Sequence, residues 1–147
     1  MVETLVAHKD YSATPLYKKL GIKNGARVGL AGIEIEEFLP IIGELPEGVE
    51  LLEVAKAPLD VLVMFATGSK QLGRRFKALA RMVRPEGGFW VAYPKKSSAI
   101  ETDLTFEIVQ TIGLDAGLVD NKTCAIDEDR SGIRFVVPRA LRKQTAA

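Results

Sequence analysis

The sequence has few of the residues on which most metal and nucleophilic sites depend. It contains one histidine, His8, and one cysteine, Cys124. A single cysteine excludes a disulfide within the chain, and this pair of residues excludes the usual zinc sites. A Ser-His or Cys-His pair would have only His8 as its base, so nucleophilic catalysis has little support. The acidic turn at 127–129 lacks the spacing of a calcium loop. We therefore predict no metal site.

The sequence also lacks a strong charge imbalance and a long apolar run. Its formal net charge is +1, which gives no general attraction to nucleic acid or membranes. The longest wholly apolar run, residues 61–66, is far too short to cross a bilayer. Charged residues interrupt the N-terminal segment, which is therefore not a signal peptide. Together with the single cysteine, these features predict a cytoplasmic protein that does not bind membranes.

The length and composition are those of one globular domain. The chain has 147 residues, of which 47% are hydrophobic and 27% are charged. We predict a single α/β domain over residues 1–138, including an N-terminal helical arm at 1–25. A flexible basic tail is predicted at 139–147.

Short apolar segments alternate with amphipathic ones along the chain. Strands are predicted at residues 27–31, 49–54, 61–66, 88–93, 118–126 and 133–137. Helices are predicted near residues 14–20, 33–42, 69–84 and 102–113. This alternation produces parallel crossovers, whereas the last two strands are joined too closely to be anything but antiparallel. The pattern predicts a three-layer Rossmann-like sandwich. Its mostly parallel six-stranded sheet is closed by a C-terminal antiparallel hairpin.

The fourth strand is the centre of this prediction. Its residues 89–93 are apolar on both faces, as in a strand covered by helices on both sides. Gly87 and Gly88 precede it and suit a tight turn from helix to strand. Pro94 has no N–H to donate and ends the strand. Ligands bind at the carboxyl ends of strands in open α/β sheets. This strand end carries four polar residues, Lys95, Lys96, Ser97 and Ser98.

Two interpretations of these four residues remain open. Their ammonium and hydroxyl groups could bind an anion beside the N-terminus of the following helix. They could equally form a solvated loop, since lysines are normally exposed.

Other candidate ligand residues follow the first three strands. Gly32 and Glu34 occupy the position of a nucleotide-binding loop, although Gly32 could simply join strand to helix. Glu53 could accept a hydrogen bond from a ribose hydroxyl, as an acid does in dinucleotide folds. A third group, which could bind a polar ligand, comprises Thr67, Gly68 and Ser69. Capping of the next helix would also explain Ser69.

The helix predicted after Ser69 is basic. Its polar faces carry lysines and arginines from Lys70 to Arg84, with no acid among them. These cations could contact phosphates, but no aromatic residue interleaves with them to stack on bases. We interpret the cations as the exposed face of a surface helix, and nucleic acid is disfavoured as a partner.

One segment resembles the class I S-adenosylmethionine-dependent methyltransferase fold. The run Arg84-Pro85-Glu86-Gly87-Gly88-Phe89-Trp90-Val91 is similar to the P-x-G-G turn before the fifth strand of that fold. The glycine-rich loop of the family corresponds to residues 28–34, which hold two glycines. The chain is also shorter than the family by about one strand and its helices. The resemblance implies the strand order second, first, third, fourth, sixth, fifth.

Three longer stretches resemble a small bacterial family known as a domain of unknown function. They are residues 11–22, 90–97 and 117–128. This resemblance implies a bacterial origin and the same fold, and it supplies no activity.

Two functional hypotheses follow. The first is a non-catalytic binding or regulatory module, which holds a small anionic ligand or a protein partner at the carboxyl-terminal rim of the sheet. On this hypothesis the chain is not an enzyme. The alternative is a divergent S-adenosylmethionine-dependent methyltransferase, for which S-adenosylmethionine would be the cofactor.

Overall fold

Strands and helices alternate along the chain in the computed structural model, which describes residues 14–53 and 56–141. The strands are β1 Arg27–Ala31, β2 Glu50–Leu52, β3 Leu59–Phe65, β4 Val83–Pro94, β5 Val119–Ala125 and β6 Arg130–Val136. The helices are α1 Leu16–Leu20, α2 Ile35–Ile42, α3 Ser69–Ala80 and α4 Phe106–Asp115. His8, most of the predicted arm and most of the predicted tail lie outside the described residues.

The strands form one six-stranded sheet with the order β2-β1-β3-β4-β6-β5. The first four strands in this order are mutually parallel, and β6 pairs antiparallel with both β4 and β5. The predicted fold class and the predicted strand order are therefore confirmed.

The sheet is covered on both faces, and each face has its own hydrophobic cluster. Helices α3 and α4 contribute Leu72, Phe76 and Val109 to one cluster. Helices α1 and α2 contribute Leu20 and Phe38 to the other. Two helical layers around one sheet make the predicted three-layer sandwich.

Strand β4 contributes to both clusters because its side chains alternate between the faces. Phe89 and Val91 pack under α3 and α4, whereas Trp90 packs under α1 and α2. The Trp90 side chain is fully buried, and its indole Nε1–H donates a hydrogen bond to the Leu20 carbonyl at 3.0 Å. This bond ties α1 to the centre of the sheet. The prediction of a strand buried on both faces is confirmed.

The prediction of a helix-to-strand turn at Gly87 and Gly88 is wrong. Strand β4 begins at Val83, so both glycines lie inside it. Their role is to allow close contacts with neighbouring strands. A Cβ on Gly87 would lie 2.5 Å from the Asp60 carbonyl oxygen, and one on Gly88 would overlap the Arg134 guanidinium.

Three helix boundaries also differ from the prediction. The N-cap of α3 is Gly68 rather than Ser69. Helix α4 begins after Thr105, whose hydroxyl accepts a hydrogen bond from the Ile108 N–H at 3.2 Å. Gly113 does not end α4, which continues to Asp115. The glycine is needed because a Cβ there would overlap the Phe135 ring. None of the described helices is long and apolar enough to cross a membrane.

Candidate functional site

The strand order reverses between β1 and β3. The chain leaves β1 toward β2 on one side of the sheet, and β3 then lies on the other side. At such a switch point the connections diverge and leave a crevice beyond the carboxyl ends of the two strands. A cavity of about 390 Å³ opens there. We call it the switch-point cavity. Its lining consists of Gly32, Ile33, Glu37, Ile41, Phe65, Ala66, Thr67, Gln71 and Arg130.

Gly32 forms part of the cavity wall, and the fold itself requires a glycine there. Its φ is +76°, and a Cβ would overlap the carbonyl oxygen of Phe65 on the neighbouring strand. An L-residue is disfavoured at this φ even without the overlap. Substitution of Gly32 would therefore disturb folding whether or not a ligand binds.

Glu34 and Glu53 contact the N-terminus of α2. One Glu53 oxygen accepts a hydrogen bond from the Ile35 N–H at 2.8 Å. Glu34 and Glu37 form a capping box, in which the side chain of each accepts from the backbone N–H of the other. The carboxylates therefore satisfy N–H groups that the first turn of a helix leaves unpaired.

Three acids form a rim at the N-terminus of α2, next in sequence to the lining residues Ile33 and Glu37. Carboxylate oxygens of Glu34, Glu36 and Glu53 lie within 4.8 Å of one another, and all three residues are exposed. Such a rim suits a cation or a hydroxyl donor.

Hydrogen bonds join the segment after β3 to the loop after β4. The Thr67 carbonyl accepts a hydrogen bond from the Thr102 hydroxyl at 2.6 Å. Ser69 donates to the Asp103 carboxylate through its N–H at 2.8 Å and through its hydroxyl at 2.5 Å. These two hydrogen bonds lower the pKa of the Asp103 carboxyl. Ser69 thus connects two loops of the rim.

The segment Lys95 to Ser98 forms a closed turn at the end of β4. The Lys95 N–H donates to the Asp129 carbonyl at 2.8 Å, and the Ser98 N–H donates to the Lys95 carbonyl at 3.0 Å. The Ser98 hydroxyl accepts from the Ile100 N–H at 3.0 Å. Lys96 and Ser97 are exposed.

The structure brings few of the predicted ligand residues together. Of those ten residues, the described lining of the switch-point cavity includes Gly32 and Thr67. The others lie around the same edge of the sheet, in capping, inter-loop or turn positions. Their assignment to a ligand stays a prediction.

Arg130 is the charged residue opposite in sign to Glu37 in the cavity wall, and it was not among the predicted ligand residues. Its guanidinium lies 5.2 Å from the centroid of the Phe65 ring, and its Nη1 pairs with Asp127 at 2.8 Å. The sequence analysis began the last strand at residue 133 and so left Arg130 in the connection before it. A signal was present, because an antiparallel strand that follows β5 must start at the carboxyl-end rim. The first residue of that strand is Arg130.

Comparison with solved structures identifies the fold. A SAM-dependent methyltransferase from Aquifex aeolicus matches with 16% identity and a TM-score of 0.62, over 82% of this chain and 86% of that one. Magnesium protoporphyrin IX methyltransferase from Synechocystis PCC 6803, solved with SAH, has 9% identity and a TM-score of 0.56, over 93% and 89%. Aeropyrum pernix fibrillarin, solved with S-adenosyl-L-methionine, has 16% identity and a TM-score of 0.54, over 86% and 74%.

The chain has a class I methyltransferase-like fold. No family model matches it, and no curated protein matches its sequence. The structural matches contradict the prediction of a non-catalytic binding or regulatory module, and with it the expectation that the chain is not an enzyme. They favour the alternative hypothesis instead. The inferred bacterial origin and cytoplasmic location stay predictions.

Proposed function

We propose that the chain is an S-adenosylmethionine-dependent methyltransferase that binds its cofactor at the switch-point cavity. The observation that carries this proposal is the position of the cavity, between the carboxyl ends of β1 and β3, where the strand order reverses. Ligands of open α/β sheets bind at that position. The likeness to solved methyltransferases supports the choice of cofactor, because it extends over most of this chain.

The residues around the cavity fit the chemistry of S-adenosylmethionine. The cofactor carries a positive sulfonium and an ammonium group, and the acidic rim of Glu34, Glu36 and Glu53 favours positive charge. Glu53 stands at the end of the second strand, where its carboxylate could accept from ribose hydroxyls. The volume of about 390 Å³ lies within the usual range of small-molecule sites, about 300–1,000 Å³.

When bound, the cofactor supplies a methyl group on a positively charged sulfur. The residues of this chain would position it and limit the access of water. Phe65 and Ala66 are buried and provide an apolar wall. Gly32 contributes backbone rather than a side chain to the lining, next to Phe65.

Binding is the first test, because it requires no knowledge of the methyl acceptor. We expect S-adenosylhomocysteine to raise the unfolding temperature, whereas ATP and sugar phosphates do not act at this cavity. A ligand at 100 times its dissociation constant stabilises the folded state by about 2.7 kcal/mol. The absence of both a thermal shift and calorimetric heat at millimolar S-adenosylhomocysteine would contradict the proposal.

A substitution of Glu53 tests the site without disturbing the fold. Glu53→Gln keeps an oxygen that can accept from the Ile35 N–H and removes the negative charge. We expect about tenfold weaker binding of S-adenosylhomocysteine, the loss that one charged hydrogen bond causes. Glu44→Gln is the matched control, since Glu44 is also exposed and follows the C-terminal end of α2, whereas Glu53 contacts the N-terminus of that helix. Equal affinities for the two variants would exclude Glu53 from the site.

A further inference from the structure

A second cavity lies at the opposite end of the sheet, near the amino-terminal ends of β1 and β3. It has a volume of about 480 Å³. We call it the amino-end cavity. Helix α1 and the turn after it form one wall, and β3, β4, β5 and β6 form the other. The charged residues in its lining are Lys19, Lys23, Lys122, Arg134, Asp60 and Glu86.

The charges in this lining do not balance. Asp60 is already engaged, because it pairs with Arg84 at 2.9 Å and accepts from the Arg27 N–H at 2.8 Å. The four cations of the lining, Lys19, Lys23, Lys122 and Arg134, therefore outnumber its two acids. A concave site with an excess of positive charge attracts anions.

Two of the lysines converge from different elements. Lys19 lies in α1 and Lys122 lies in β5, and both line the amino-end cavity. The helix and the strand therefore bring two positive charges to one cavity from parts of the chain that are far apart in sequence.

The floor of the cavity is shaped to hold a guanidinium group. Gly88 is buried in β4, and a Cβ on it would lie 2.9 Å from Arg134 Cζ. The Arg134 Nη1 donates to the Asn121 side-chain oxygen at 3.4 Å. A glycine in mid-strand weakens a sheet unless its lack of a side chain is used. Here the missing side chain gives room for Arg134, whose planar fork matches phosphate oxygens.

We propose that the amino-end cavity binds a small molecule that carries a phosphate group. Several convergent cations suit a doubly charged oxyanion. Glu86 and Asn24 could accept hydrogen bonds from hydroxyl groups on the same ligand. The described lining contains no aromatic residue on which a nucleobase could stack. This site is separate from the switch-point cavity, and the proposal does not depend on methyltransferase activity.

Calorimetric titration of the full chain with pyrophosphate tests this proposal. We expect saturable binding of one equivalent that weakens as salt concentration rises. Glycerol phosphate, which adds hydroxyls, should bind as well, whereas a ten-nucleotide single-stranded RNA should not compete. Absence of pyrophosphate binding at millimolar concentration would overturn the proposal. Binding of the RNA without binding of pyrophosphate would overturn it too, since it would show an open phosphate-backbone surface.

Matched variants locate the binding. Lys23 and Lys122 are exposed, so the double variant K23Q/K122Q should fold normally. We expect it to bind pyrophosphate at least about tenfold more weakly, the loss expected for a charge-assisted hydrogen bond. The double variant R74Q/R75Q also removes two positive charges, from the exposed face of α3 outside the described lining, and should bind as the natural chain does. Equal weakening in both variants would show a diffuse charge effect and contradict the site.

Gly88→Ala gives an independent test through Arg134. The added methyl group would displace the guanidinium from its place above β4 and should weaken pyrophosphate binding without any change of net charge. Should this variant fail to fold, the lysine variants still decide the question. A folded Gly88→Ala that binds pyrophosphate with unchanged affinity would contradict the role of Arg134.

Discussion

The two ends of the sheet differ in charge, and the difference has two sources. The carboxyl end gathers acids at Glu34, Glu53 and Asp103, whereas the amino end gathers lysines. Helix N-termini lie at the carboxyl end, where their partial positive charge favours carboxylates. The side chains of Glu34 and Glu53 accept hydrogen bonds from backbone N–H groups of α2. These acids therefore stabilise the helix whether or not a ligand is bound.

The cations of the amino end have less structural explanation. Lys19 lies in the last turn of α1 and complements the partial negative charge there. Lys23 and Lys122 are exposed and lie outside the helices. The acids Glu34 and Glu53 of the carboxyl end thus cap α2, whereas these two lysines have no such capping position.

The largest loss of stability is expected from a substitution of Trp90, which holds Leu20 in the wall of the amino-end cavity. Trp90→Ala removes a fully buried ring and the hydrogen bond that holds α1. We expect a loss of about 3–5 kcal/mol in the free energy of unfolding, measured with urea. Trp90→Phe keeps most of the buried area and loses the hydrogen bond, so it should cost clearly less. A loss below about 1 kcal/mol for Trp90→Ala would be incompatible with a central β4.

The next largest loss of stability is expected from substitutions of two glycines, Gly32 at the carboxyl end of the sheet and Gly25 at the amino end. Gly32 and Gly25 have nearly equal φ values, +76° and +73°. A Cβ at Gly32 would overlap the Phe65 carbonyl, whereas a Cβ at Gly25 would have no described atom within 4 Å. Gly25→Ala should therefore cost about 1–2 kcal/mol, from the left-handed backbone conformation alone. Gly32→Ala should cost about 1–3 kcal/mol more, from the overlap.

Denaturant unfolding of the two variants isolates that overlap, because the strain in φ is common to both. If both variants lose the same stability, β3 yields at Phe65, and the positive φ alone accounts for the cost at Gly32. A ligand-binding test of a Gly32 variant would not isolate the overlap, since a loss of binding would also follow from misfolding.

The sheet was predictable because its signals are local. The apolar run in β4, the breaks at Gly32 and Pro94 and the short hairpin specify the strands and their directions. The glycines at 87 and 88 misled the prediction. A glycine pair in sequence looks the same whether it makes a turn or admits Asp60 and Arg134 from distant strands.

The site was less predictable because its partners are distant in sequence. Ser69 contacts Asp103 over 34 residues, and Glu53 contacts Ile35 over 18 residues. The residue types at positions 69 and 53 suggested a hydroxyl and a carboxylate for a ligand. They did not show that Ser69 already bonds to Asp103, or that Glu53 already bonds to the Ile35 N–H. The amino-end cavity was missed for a related reason, because its cations come from residues 19–23, from β5 and from β6.

The smallest expected effect concerns the Ser69–Asp103 contact at the carboxyl end. Hydrogen bonds from Ser69 lower the pKa of the Asp103 carboxyl in the folded state. The stabilisation by this carboxylate is therefore present above the unfolded-state pKa, about 4. It is lost as pH falls through the folded-state pKa. Asp103→Asn should unfold at a lower temperature than the natural chain at pH 7, and the gap should close near pH 2.

Ser69→Ala provides the control, because it removes the donor and leaves the carboxyl in place. The double variant should be no less stable at pH 7 than the less stable single variant, since both changes break the same contact. Thermal unfolding of the four proteins at pH 7 and pH 2 measures this. A gap for Asp103→Asn that is equal at both pH values would show that the charge of the carboxylate does not stabilise the rim.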